Sequence, residues 1–341
     1  MVLFSLVSKQ AMANIIPALH LQPKHIILFS TNEERQTAEA VSKLLRKRGF
    51  SVAAAETRIS AYNGREVYTA VQQELQKLPN AETAVLNATG GTKIMAFSAY
   101  QLFLEKHLRI VYCNTADHQL MTLFPNQEQQ PFRIVLSAEE YLQAHGYTIT
   151  NVPTNTFPPE TEEFYRRAVI PRLQDFIKFF EIVRRRDLNQ RLTAQAEKFK
   201  FEYRRKEQAV TLLDKQTNLI ARFNGYNYGQ WLEDLAFLRI KDLSPDDLLS
   251  GVKIQSLHGA KNELDVVTTL NGQIAFISCK TGNIDNLDVH QLLSMKNLAG
   301  GTFGKGILVL PDRSAKNFIP LAQDFGFTIY TPEELMSGAI F

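Results

Sequence analysis

Cysteine is nearly absent from this sequence: Cys113 and Cys279 are the only two in 341 residues. Two cysteines make no disulfide framework and no four-cysteine zinc site, which fits a reducing, cytoplasmic setting. Long hydrophobic runs are missing as well. No stretch approaches the roughly 20 apolar residues that a membrane-crossing helix needs. The apolar start, residues 1–7, is short, has no basic leader and runs into Ser8, Lys9 and Gln10, so no secretory signal is expected. A large charge of either sign is lacking too: 38 Lys and Arg stand against 35 Asp and Glu, for a net charge of +3. That balance permits a nucleic-acid partner without demanding one. Internal repeats and low-complexity tracts are also absent. What remains is an ordinary globular composition, 45% hydrophobic and 21% charged, long enough for two domains.

In the first half, short apolar runs at residues 2–7, 25–29, 50–55, 84–87 and 108–114 alternate with amphipathic stretches at 11–19, 33–48, 64–78 and 94–105. Strands alternating with helices predict a doubly wound, mostly parallel sheet. Pro17 stands late in the first helix, where it favours an early end. Residues 119–124 and 132–136 read as an antiparallel hairpin at the sheet edge. Ligands of such sheets bind beyond the carboxyl ends of the strands, and three of those ends carry small polar groups. The first has Ser8, Lys9 and Gln10, and the second has Thr31 and Asn32. The third is N-A-T-G-G-T-K, with Asn87, Thr89, Gly90, Gly91, Thr92 and Lys93. Its glycines allow close backbone approach, the following helix N-terminus favours phosphate, and Lys93 adds a cation. It is not a Walker loop, whose spacing differs.

Prolines, threonines and asparagines at 151–159 mark a linker. Residues 160–220 read as a charged helical connector containing Arg184, Arg185, Arg186, Arg204, Arg205 and Lys206. The triple-arginine run, Arg184 to Arg186, is expected to be a solvated helix face, and Trp231 is expected to pack in the core. The last third centres on residues 262–282, two apolar runs around Asn271-Gly272, which is a hairpin signal. The hairpin sets Asp265 on its first strand and Lys280 at the end of its second. A carboxylate and a lysine so placed can build a divalent-cation site for phosphodiester hydrolysis. The acid is a hard oxygen ligand for Mg²⁺ or Mn²⁺, and the lysine can orient water or offset developing charge. Glu263 is a weaker candidate, since strand alternation can point it away from Asp265.

The hairpin resembles the PD-(D/E)xK restriction-endonuclease family. In that resemblance Asp265 matches the first acid, Lys280 the lysine and Glu233, in G-Q-W-L-E-D-L-A-F, the acid of the opening helix. Gln291 matches a polar position on the helix that follows. Ser278 stands where the pattern has Asp or Glu, so metal affinity falls unless Glu233 or Glu263 compensates, and the carbonyl of Cys279 is a further candidate ligand. The N-terminal half, through its loop at 87–93, resembles the CARF domains of CRISPR-associated proteins. The order of the two resembles the Can and Card type of ancillary nuclease. The resemblance implies a Rossmann-like CARF domain at 1–150, a linker and helical connector at 151–224, and a restriction-endonuclease-like α/β domain at 225–341. It also implies a cyclic oligoadenylate, cyclic tetra-adenylate foremost, bound across a two-fold axis of a homodimer. A metal-dependent endonuclease acting on DNA is the first expectation, and RNA stays open. The competing readings are a non-catalytic sensor and a ring nuclease that degrades its own activator.

Overall fold

The computed structural model describes residues 1–184, 192–204, 207–224, 228–282, 286–312 and 319–338. The first unit alternates strands and helices: β1 (Val2–Leu6), α1 (Met12–Leu21), β2 (His25–Phe29), α2 (Arg35–Lys47), β3 (Ser51–Ala54), α3 (Gly64–Gln76), β4 (Ala84–Asn87), α4 (Lys93–Glu105) and β5 (Arg109–Asn114). Strands β6 (Gln119–Phe124) and β7 (Glu128–Pro131) and helix α5 (Ala138–Ala144) complete it. The sheet order is β3-β2-β1-β4-β5-β6-β7. The first five strands are parallel and the last two antiparallel, as the alternation predicts.

Two local expectations change. Pro17 does not end α1, which continues to Leu21. A proline lacks the N–H that would bond the carbonyl four residues back, and here the Ala13 carbonyl accepts from Asn87 Nδ2 at 2.8 Å instead. The edge hairpin pairs β6 with residues 128–131 rather than 132–136. Phe132, Ile134 and Leu136 are buried, and burial of that alternating face outcompetes an edge position.

Next come β8 (Tyr147–Ile149), α6 (Pro159–Phe164), a π-helical turn at Tyr165–Val169, a 3-10 turn at Ile170–Arg172 and α7 (Leu173–Arg184). The stretch expected to be helical to residue 220 leaves helix there. It forms β9 (Leu192–Gln195), β10 (Phe199–Arg204), β11 (Ala209–Asp214) and β12 (Ile220–Asn224), a four-stranded antiparallel sheet in the order β12-β11-β10-β9. The period is two: Phe199 and Phe201, and across the sheet Val210 and Leu212, are buried. Arg185, Arg186, Arg205 and Lys206 lie outside the described residues.

The last unit contains α8 (Gln230–Lys241), β13 (Asp247–Ser256), β14 (Lys261–Leu270), β15 (Gln273–Cys279), α9 (Asn286–Met295), β16 (Lys305–Val309), α10 (Ile319–Asp324), β17 (Thr328–Tyr330) and α11 (Pro332–Ser337). Asn271 (φ 49°) and Gly272 (φ 76°) give the β14–β15 turn the two left-handed residues of a type I′ hairpin. The sheet order is β17-β16-β15-β14-β13-β8, so β8 crosses from the first 150 residues into the second sheet.

The two sheets share one apolar core. Leu3, Ile16 and Tyr141 belong to the same buried cluster as Ile254, Phe276 and Leu292. Each such side chain contributes about 1.5–3 kcal/mol when buried. The ion pair Arg133–Asp246, its guanidinium half-exposed and its carboxylate buried, adds a polar tie at the edge of this core, and the Asn271 N–H also donates to Asp246 at 2.6 Å. A second cluster joins α7, β10 and α8 behind β14 and β15, with Trp231 packed against Phe176 and Phe180. Among the described residues no helix is long and apolar enough to cross a membrane.

Candidate active site and ligand cavity

The β14–β15 ladder pairs Val266 with Ile277, which brings Asp265 beside the end of β15. Asp265 Oδ2 accepts from the Cys279 N–H at 2.7 Å and from Ser278 Oγ at 3.3 Å. Ser278 therefore orients Asp265 through its hydroxyl. Cys279 approaches the acid with its amide, while its buried thiol lies 3.8 Å from the Leu232 carbonyl. The Lys280 main chain is pinned by donation to the Val309 carbonyl at 3.0 Å. Its Nζ lies 3.2 Å from Asp288 Oδ1 on α9. A small cleft of about 70 Å³ collects Glu263, Asp265, Ser278, Lys280, Asp288 and Gln291. Gln291 is thus where the sequence placed it. Asp288 was missed, although it lies three residues before Gln291 and so on the same helical face.

Glu233 does not line that cleft, but it feels it. Burial, then Asp265, Asp234 and Glu263, push its carboxyl up to about 8, against a smaller opposing effect of Lys280. Burial also raises Asp265, opposed by the Cys279 N–H and Lys280. Asp234 is wholly buried and raised to about 7, even with Gln230 and the Tyr165 hydroxyl (2.7 Å) donating to it. Carboxylates that disfavour one another's ionisation, with one lysine in partial compensation, form a site short of positive charge. Hard oxygen donors with that deficit fit a divalent cation. Among the described residues no group of three or more His, Cys, Asp or Glu stands gathered as a metal cage. Asp265 and Glu263 both face the cleft, against the expectation that alternation turns Glu263 away, because residues two apart on β14 share one face; Glu233 adds its charge from α8.

At the carboxyl ends of β1 and β2 a larger cavity of about 930 Å³ opens. Ser8, Lys9, Gln10, Thr31, Asn32, Gly91 and Thr92 line it. Asn87, Thr89, Gly90 and Lys93 are not among its walls. Asn87 is fully buried and ties Ser5 Oγ and the Ala13 carbonyl together. It also accepts from the Thr89 N–H and hydroxyl. Gly90 lies against β1, where a Cβ would stand 2.2 Å from the Leu6 carbonyl oxygen. These residues shape the loop, and Gly91 and Thr92 present it. Lys93 is exposed at the start of α4. The wall at residues 58–62 was missed in the sequence, although it follows the carboxyl end of β3 and the strand-end rule reaches it. Arg58 Nη1 donates to Asn32 Oδ1 at 3.2 Å. Thr92 Oγ1 donates to the Ala61 carbonyl at 2.6 Å and accepts from the Met95 N–H at 3.2 Å, so the cap of α4 also closes the cavity wall.

Residues 2–141 match the family model of the Card1 CARF domain. Residues 221–338 match that of the Card1-like endonuclease domain. No curated protein sequence matches the chain. Protein VC1899 from Vibrio cholerae is similar in structure over 98% of this chain and 95% of its own, with 20% identity and a TM-score of 0.74. Can2 from Sulfobacillus thermosulfidooxidans, solved in complex with cyclic tetra-adenylate, aligns over 98% of this chain and 97% of its own, with 19% identity and a TM-score of 0.75. A type III CRISPR defence DNA nuclease activated by cyclic oligoadenylate aligns with 91% of this chain and 45% of its own, with 20% identity and a TM-score of 0.57. With a Card1-type CARF domain followed by a Card1-like endonuclease domain, the chain belongs to the CRISPR-associated CARF-domain nucleases.

Proposed function

We propose that the protein is an endonuclease switched on by a cyclic oligoadenylate, with cyclic tetra-adenylate the first candidate, in type III CRISPR defence in the cytoplasm. The observation that carries this reading is the presence, on one shared core, of a roomy cavity edged by polar and charged side chains and of an acid–lysine cleft. Can2, the similar structure named above, was solved with that ligand. We assign ligand sensing to residues 1–150, connection to 151–224 and cleavage to 225–341. Lys9 and Arg58 can meet ring phosphates, and Thr31, Asn32 and Thr92 can meet bases or ribose.

A second copy of the chain completes the cavity. Helix α4 carries an unburied apolar stripe of Ile94 (43% exposed), Phe97 (70%) and Leu104 (36%), and Tyr62 (79%) stands at the cavity rim. A stripe at helical spacing left in water is suited to being covered. A homodimer formed there brings two cavities together around one ring.

In the cleft, Asp265, with Glu233 and Glu263, would hold Mg²⁺ or Mn²⁺. When bound, such an ion supplies a polarised scissile phosphate and a more acidic water. Asp265 is held by the Cys279 N–H and Ser278, which fixes its free oxygen toward the cleft. Lys280 offsets negative charge growing on the phosphate oxygens. DNA is the proposed substrate, with RNA as the comparison arm.

Purified protein incubated with supercoiled plasmid is expected to cut only when Mn²⁺ or Mg²⁺ and cyclic tetra-adenylate are both present. Asp265→Ala should abolish cutting, and cutting that survives in that variant would refute the assignment. Ser278 leaves the strand one acid short, which favours one second reading: a sensor that binds ligand without cleaving. Saturable Mn²⁺ binding by calorimetry separates the two, since the sensor has none.

A further inference from the structure

Asp288 belongs to none of the positions that the sequence singled out, yet it is the acid facing Lys280 in the cleft, at 3.2 Å. It rides on α9, and Gln291 from the same helix also lines the cleft. Helix α9 runs without a break into a π-helical turn, Lys296–Gly300, and then into Gly301. That far end is gripped by the first unit. The Tyr141 hydroxyl donates to the Gly300 carbonyl at 3.0 Å. A Cβ on Gly301 would stand 2.2 Å from Gln10 Oε1 and 3.4 Å from His145 Nε2. Gln10 is a wall of the ligand cavity. His145 Nε2 is buried there with no hydrogen-bond partner among the described residues, so the seam holds a polar atom that a small shift could satisfy.

Spatial continuity alone does not couple two sites; the connecting element must have two arrangements. The turn at 296–300 has the means. A π turn carries one residue more than α-helical register requires, and such turns concentrate at functional sites. Gly301, at φ +61°, adopts a backbone that side-chain-bearing residues seldom reach. A slip of this turn toward α-helical register would rotate α9 and move Asp288 relative to Lys280.

We propose that Asp288 is a positioning residue for Lys280, and that the CARF domain sets its position by gripping Gly300 and Gly301 through Tyr141 and Gln10. This rests on the ligand-activated reading above. A ligand seated on Gln10 needs to prefer one arrangement of the turn over the other, and that preference is the whole of the coupling.

The test uses the full chain, supercoiled plasmid, Mn²⁺ and cyclic tetra-adenylate. Asp288→Asn is expected to lower stimulated kcat at least about tenfold with KM within about threefold, and Asp288→Glu to recover most of the loss. Tyr141→Phe, which deletes one hydroxyl outside both cavities, is expected to bind the ligand within about threefold of wild type yet lose about fivefold in stimulation. In the wild type, hydrogen exchange over 286–301 should change when the ligand is added. Undiminished cutting by Asp288→Asn, or exchange over 286–301 indifferent to the ligand, overturns the proposal while leaving ligand activation intact. A wild type that neither binds nor responds to cyclic tetra-adenylate overturns the ligand-activated reading, and this inference with it.

Discussion

Glu233 is the residue on which the electrostatics of the cleft turn. Its carboxyl is raised to about 8, first by burial and then by neighbouring acids. A raised carboxyl makes a contribution to stability that is complete below its ordinary range near pH 4.5 and is lost as pH climbs toward 8. Glu233→Gln removes that titration. In chelator, the variant should therefore gain on wild type between pH 5 and pH 8.5, by on the order of 1–3 kcal/mol in thermal or urea unfolding. Added Mg²⁺ or Mn²⁺ at pH 8.5 should narrow the gap, because a cation relieves the same repulsion. A difference that stays flat with pH would show that the acids do not interact as described. Asp265 and Lys280 were legible in the sequence because an Asn-Gly turn fixes which residues of two strands meet. Asp288 was not, since nothing local says that α9 lies over the end of β15. Asn87 and Gly90 stand behind the cavity wall rather than in it, a placement the sequence does not show, because a polar, glycine-rich loop has the same composition whether it touches a ligand or holds its own turn.

At the scale of elements, the loop between β4 and α4 couples capping to the cavity. Thr92 caps α4 through Met95 and also holds the 58–62 wall through the Ala61 carbonyl. Thr92→Ala should cost about 1–2 kcal/mol in unfolding free energy and weaken cyclic tetra-adenylate binding about tenfold, since the wall must then be ordered by the ligand. Calorimetric titration and thermal melts read the two effects separately, and a melt-only effect would remove Thr92 from the site. The alternation of strand and helix in the first half was plain because each element is long and strongly patterned. The connector was misread because its charges hide a period of two. In F-K-F-E-Y-R the lysine, glutamate and arginine face outward while Phe199 and Phe201 face the core. Pro17 misled for a different reason: the carbonyl it orphans is satisfied by Asn87, which is distant in sequence.

For the whole molecule, the shared core and the crossing of β8 into the second sheet tie sensing to cleavage. Neither could be read from local pattern, because both depend on contacts between residues more than a hundred positions apart. The apolar stripe on α4 sets the expected assembly. Phe97→Asp places a charge on that face and should shift the protein from dimer toward monomer in sedimentation, with ligand-stimulated cutting lost in parallel. An unchanged sedimentation coefficient would move the dimer contact elsewhere. On the proposed function, occupancy of the CARF cavity controls the cleft. The most direct measurement titrates cyclic tetra-adenylate against plasmid cutting in Mn²⁺ while recording bound ligand on the same sample. Cutting and occupancy are expected to rise along one curve and level off together at one ring per two chains. Full cutting before any ligand is bound, or saturated binding with no rise in cutting, would contradict it.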